Sequence, residues 1–160
     1  MSKAPRTDQE VINNYMMTFK EHLKEGRITK AGLLPYHIKD EKLFFCMMIP
    51  SDPMYGGIEP QISKGTLEPG ETLQATAVRE AQEELGYIHK SDGDVKKMGI
   101  MNGIIWFYVK VDSMNLNKAH FETKEVLWLD ASSAFKRIRP WQKPILGKIY
   151  HMIRKEEGIK

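Results

Sequence analysis

Three glutamates, Glu80, Glu83 and Glu84, constrain this chain more than any other feature. They stand near the end of the run G-T-L-E-P-G-E-T-L-Q-A-T-A-V-R-E-A-Q-E-E-L-G-Y, residues 65–87. Pro69-Gly70 before and Gly86 after bracket a helix from Thr72 to Gly86. On a helix the offsets i, i+3 and i+4 are neighbours on one face. At about 100° per residue the three carboxylates share a sector of roughly 100°. Ala77, Val78, Ala81 and Leu85 share a different sector, which can anchor the helix in a core. Like charges this close repel, so a plain surface helix has no reason to gather them. A hard divalent cation such as Mg²⁺, or Mn²⁺ in its place, removes the conflict because it takes carboxylate oxygens.

The spacing is Gly65, five residues, Glu71, seven residues, then Arg79-Glu80-Ala81-x-Glu83-Glu84-x-Gly86-Tyr87. This pattern resembles the Nudix box, with every defining position filled. The chain from about Ile28 onward is similar to a Nudix domain. The resemblance implies Mg²⁺-dependent hydrolysis of a nucleoside diphosphate linked to another group. It implies that Glu80, Glu83 and Glu84 hold the metal with the Gly65 carbonyl as a further ligand. Arg79 is adjacent to the acids and can clamp Glu71 through its guanidinium fork, which is support rather than chemistry.

Nudix enzymes often place another acid on a distant loop, as metal ligand or general base. Glu122, six residues before Trp128, is the candidate, and Glu125 is its rival. The spacing resembles that of dinucleoside-tetraphosphate and RNA pyrophosphohydrolases. Lys64, just before the box, could reach a phosphate. Trp106 and Tyr108 share one face of a strand by alternation and are the favoured candidates for stacking on a base; Tyr55, Trp128 and Phe135 are lesser ones. Dinucleoside polyphosphates and 5′-triphosphate RNA ends are therefore the favoured substrates. ADP-ribose or nucleotide sugars are the alternative, and a nucleotide-binding sensor without turnover is the alternative of another class.

The rest of the chain fits one such domain. Its 160 residues can bury a full core, and a net charge of +3 is too small to imply nucleic-acid binding by itself. The single cysteine, Cys46, lies in an apolar run and reads as packing. No stretch approaches the ~20 apolar residues of a membrane span, and residues 1–8 carry no signal-peptide core, so a cytoplasmic enzyme is expected. Thr7-Asp8-Gln9-Glu10 is a capping box. It opens an amphipathic helix closed by Gly26, which makes residues 1–27 an extension and 28–160 the domain. That helix could pack on the core, form a homodimer contact or wall the pocket.

Strands are expected at 28–38, 42–49, 59–63, 95–101, 104–111 and 126–129, with a breaker-rich loop at 51–57. A helix follows Asp130, and a closing helix runs from about Trp141 to Lys155 with Ile145, Ile149, Met152 and Ile153 inward. Strands before and after the acidic helix must share one mixed sheet. With helices on both faces the result is an α/β/α sandwich. The basic segment Lys136-Arg137-Ile138-Arg139, with Lys143, could meet phosphates or RNA; a solvated flank is the plainer reading.

Overall fold

The computed structural model describes residues 28–55, 57–115 and 123–159. The expected N-terminal helix and Glu122 lie outside them. In chain order the elements are β1 (Lys30–Lys39), β2 (Lys42–Pro50), β3 (Ser63–Thr66), α1 (Leu73–Leu85), β4 (Val95–Met101), β5 (Ile104–Lys110), β6 (Thr123–Asp130), α2 (Ala131–Arg137) and α3 (Lys143–Glu157). Single 3₁₀ turns sit at Pro53–Tyr55, Asp92–Asp94 and Pro140–Gln142.

The strands form one sheet in the order β4-β5-β1-β2-β6, with β3 pairing the first half of β1. β1 and β5 run parallel, and the other pairs are antiparallel. Two tight turns set the hairpin registers. Asp40 and Glu41 both take positive φ between β1 and β2, as do Asn102 and Gly103 between β4 and β5. Left-handed pairs of this kind match the twist of two-residue hairpins.

Alternation along the strands builds two cores. Ala31, Leu33, Cys46, Ile105 and Phe107 pack under Ala77, Val78, Ala81 and Leu85 of α1. On the other face Leu34, Phe45, Trp106 and Tyr108 pack under Ile145, Leu146, Ile149 and Ile153 of α3. This is the expected α/β/α sandwich, with Cys46 wholly buried.

Several expected boundaries move. β3 spans 63–66 rather than 59–63, because its partner is the start of β1, where Lys30 opposes Thr66 and Gly32 opposes Lys64. Residues before it make only an isolated bridge, Met48 to Gln61. β6 begins at Thr123, three residues early, since it follows β2 to Pro50. The closing helix begins at Lys143, because Pro140 opens a 3₁₀ turn first.

Candidate active site

α1 is fixed at both ends. Thr72 caps it by accepting from the Ala75 N–H, and Gly86 ends it in the left-handed conformation at φ 72°. The Tyr87 N–H then reaches back to the Ala81 carbonyl at 3.2 Å. Its buried stripe sits on β1 and leaves the acidic face over β3.

Arg79 organises the loop ahead of the helix. Its Nε donates to Glu71 Oε2 at 2.7 Å and its Nη2 to Glu71 Oε1 at 3.2 Å, a two-pronged grip. Nη2 also donates to the Thr66 carbonyl at 3.0 Å. Nη1 donates to Glu80 Oε1 at 2.8 Å and, longer, to Glu83 Oε2 at 3.4 Å. Glu71 further accepts from Thr76 Oγ1 and the Glu68 N–H. The Arg79 hydrogen bond above all, helped by these donors, holds the Glu71 carboxyl down at about 2.

Glu84 is held from the other side. Ser63 Oγ donates to its Oε1 at 3.0 Å, and the Lys64 N–H does so at 3.2 Å. Burial and the neighbouring Glu80 push its carboxyl up to about 8 against those donors. Burial also raises Glu80, with Arg79 opposing. Glu83 is the most open of the three, its side chain 43% exposed against 17% for Glu80.

Gly65 has a steric role here. A Cβ at this position would overlap the Glu80 carboxyl group. Only glycine lets that carboxylate lie on the strand. Its carbonyl, however, does not face the acids. Polar backbone groups alternate along a strand. The Lys64 N–H bonds Glu84 and the Thr66 carbonyl bonds Arg79, so even-numbered residues point outward. Gly65, opposite Ala31, therefore turns its N–H and C=O toward β1. The carbonyl on the acids' side of this strand is that of Lys64, a group the sequence reading passed over.

The donors suit a hard cation: three carboxylates, two of them with raised protonation, beside an outward carbonyl. Among the described residues, no three acidic, histidine or cysteine side chains converge on one point. Arg79 holds Glu80 and Glu83, and β3 holds Glu84. Glu80, Glu83 and Glu84 are the residues that could bring carboxylates to a metal by swinging off these partners.

The two favoured aromatic candidates are buried. Trp106 and Tyr108 do lie on one face, but they are 0% and 1% exposed. Trp106 Nε1 donates to the Met101 carbonyl at 3.0 Å, and the Tyr108 hydroxyl to Glu156 at 2.6 Å. Neither has a free ring face to offer a base, because α3 covers that side of the sheet. Tyr108 lines a cavity of about 640 Å³, together with Tyr36, Tyr87 and Lys90, which contains none of the box acids. Phe135 and Trp128 pack against the two cores, and Glu125 is exposed on β6.

Lys64 is directed to the face opposite the acids. Its Nζ lies 6.0 Å from the ring centre of Trp141, and the Arg139 guanidinium lies 5.8 Å from the same ring. Burial lowers the Lys64 ammonium, with Glu84 opposing. Lys136, Arg137 and Lys143 are exposed, so of the basic segment only Arg139 turns toward the site.

The NUDIX domain family model matches residues 39–149, well over half of the chain. The chain belongs to the Nudix family. The Nudix hydrolases it joins are pyrophosphohydrolases of nucleotide-type substrates that work with a divalent metal. Solved structures agree on the fold. The Caenorhabditis elegans Ap4A hydrolase in a binary complex is 18% identical, covering 80% of this chain and 98% of its own, with a TM-score of 0.64. The NUDIX domain of Shewanella oneidensis NrtR, complexed with ADP ribose, is 9% identical over 92% and 99%, with a TM-score of 0.66. A mutT/nudix family protein from Listeria innocua is 14% identical over 83% and 98%, with a TM-score of 0.64. No curated protein sequence matches the chain significantly. No helix of the described residues is long and apolar enough to cross a membrane.

Proposed function

We propose that this Nudix protein is a Mg²⁺-dependent hydrolase of phosphoanhydrides in dinucleoside polyphosphates or 5′-triphosphate RNA ends. The observation that carries it is the mutual geometry of the acids of α1 and the outer edge of β3, with Lys64 joining the two. Glu80, Glu83 and Glu84 would hold the metal, with the Lys64 carbonyl as the backbone ligand. The metal supplies charge neutralisation on the phosphates. Glu71 and Arg79 brace the loop between β3 and α1, so the backbone that carries the acids meets substrate in a fixed setting. Lys64 reaches a phosphate. Glu122 takes the proton from the attacking water, with Glu125 as its rival.

A nucleotide panel with and without EDTA tests this. Phosphate-releasing turnover should appear on tri- and tetraphosphate substrates and vanish in EDTA. Glu122→Gln should lower kcat with little change in KM, and Glu125→Gln should do much less. The reverse ranking moves the base to Glu125. Binding without turnover would make the protein a sensor. Preference for ADP-ribose, the ligand in the NrtR structure, would make it a nucleotide-sugar pyrophosphatase.

A further inference from the structure

β3 separates two charged surfaces. Ser63 and Gly65 face the acids of α1, while Lys64 faces the other way, opposite Gly32. Lys30 opposes Thr66 on the same side as Lys64. Arg139 shares the Trp141 ring with Lys64. Among the described residues, none of the three forms an ion pair with an acidic side chain. Three cations thus lie on this side of β3 without an ion-paired carboxylate, one strand away from the acids.

The gathering is built rather than incidental. Trp141 fixes two of the cations through its ring. Arg139 is tied down by its N–H to the Pro60 carbonyl at 2.9 Å and by Nη1 to Gln61 Oε1 at 3.4 Å. Trp141 in turn rests against buried Trp106, ring centres 6.2 Å apart. Trp106 can lie there because Gly32 has no Cβ; one would sit 2.6 Å from the indole. An anion would neutralise these three cations, as a cation would neutralise the acids.

Resting on the function proposed above, we infer that Lys64 and Arg139 on the Trp141 ring, with Lys30 beside Lys64 on the sheet, form a second phosphate site, which selects chains of three or more linked phosphates. Two phosphates engaged at the acids leave nothing to cross β3. A longer chain carries its further phosphates to the cations. Lys64 links the sites, since its N–H meets Glu84 while its ammonium joins the cation cluster. Arg139 is the strongest single contributor, because its planar fork suits phosphate oxygens.

The test compares inorganic tripolyphosphate with pyrophosphate by calorimetry, in wild type and Arg139→Gln. Wild type should bind tripolyphosphate at least about 10-fold tighter, and Arg139→Gln should reduce that margin to about 3-fold or less. In turnover, the kcat/KM ratio of dinucleoside tetraphosphate to ADP-ribose should fall about 10-fold in the variant. A 5′-triphosphate RNA arm tells whether the chain is that of an RNA end or of a dinucleotide. Equal binding of the two inorganic ions by wild type, or an unchanged margin and ratio in folded Arg139→Gln and Lys30→Gln, would overturn the second site. Absence of all turnover would instead sink the proposed hydrolase, while the calorimetric arm would still decide the inference.

Discussion

Glu84→Gln is expected to cut kcat by roughly 10²–10⁴-fold, the range for losing a key electrostatic or acid–base group, while making the chelator-treated protein more stable at pH 8. The two effects have one cause. The Glu84 carboxyl is buried beside Glu80 and its folded value is pushed up to about 8. A raised folded value means that its stabilising contribution is complete below its unfolded value. That contribution is lost as pH rises through the folded value. Metal-free wild type should therefore lose stability between about pH 4.5 and pH 8 through this group. Glutamine keeps an oxygen for Ser63 Oγ and the Lys64 N–H, carries no charge, and removes that slope. The variant's Tm should exceed that of wild type by a few degrees at pH 8, the scale of about 1–2 kcal/mol in a domain this size. The gap should close near pH 5. A variant with near-normal kcat, or less stable than wild type at pH 8 in EDTA, would contradict this reading.

Arg79→Ala should damage both fold and rate. The guanidinium is bonded to Glu71, Glu80 and the Thr66 carbonyl. Removing it leaves a half-buried carboxylate pair without counter-charge and unpins the loop. Loss of charged hydrogen bonds of this kind costs about 1–3 kcal/mol. Loop misplacement alone can cost about 10²-fold in rate. The Glu71 carboxyl sits at about 2 because of this arginine. A depressed folded value contributes stability above the unfolded value, lost as pH falls through the folded one. The Tm deficit of Arg79→Ala should hence be large at pH 7 and shrink toward pH 3. Arg79→Lys keeps the charge without the fork and should fall between the two. A deficit independent of pH would assign Arg79 to packing alone.

Much of this arrangement was legible in local sequence. The caps of α1, its buried stripe and its acidic face are all short-range patterns, readable from spacing alone. Cys46 in its apolar run, and Trp106 and Tyr108 on one strand face, are equally local. What depends on register was not legible. Whether Trp106 is open to a base depends on α3, more than thirty residues later in the chain. Which carbonyl faces the acids depends on how β3 pairs with β1, and the strand itself was expected several residues too early. Trp141 reads in sequence only as the start of the closing helix. Only the fold brings it beside Lys64. The adjacent Arg139-Pro140-Trp141 was the available signal, a cation and an aromatic fixed at a chain break.

The most direct test of the central proposal is Mn²⁺ binding followed by electron paramagnetic resonance, in wild type and in Glu80→Gln with Glu84→Gln. If these acids hold the catalytic metal, wild type binds Mn²⁺, Mg²⁺ displaces it, and the folded double variant loses that binding together with turnover. Mn²⁺ bound equally by wild type and double variant would place the metal elsewhere and contradict the assignment of these acids.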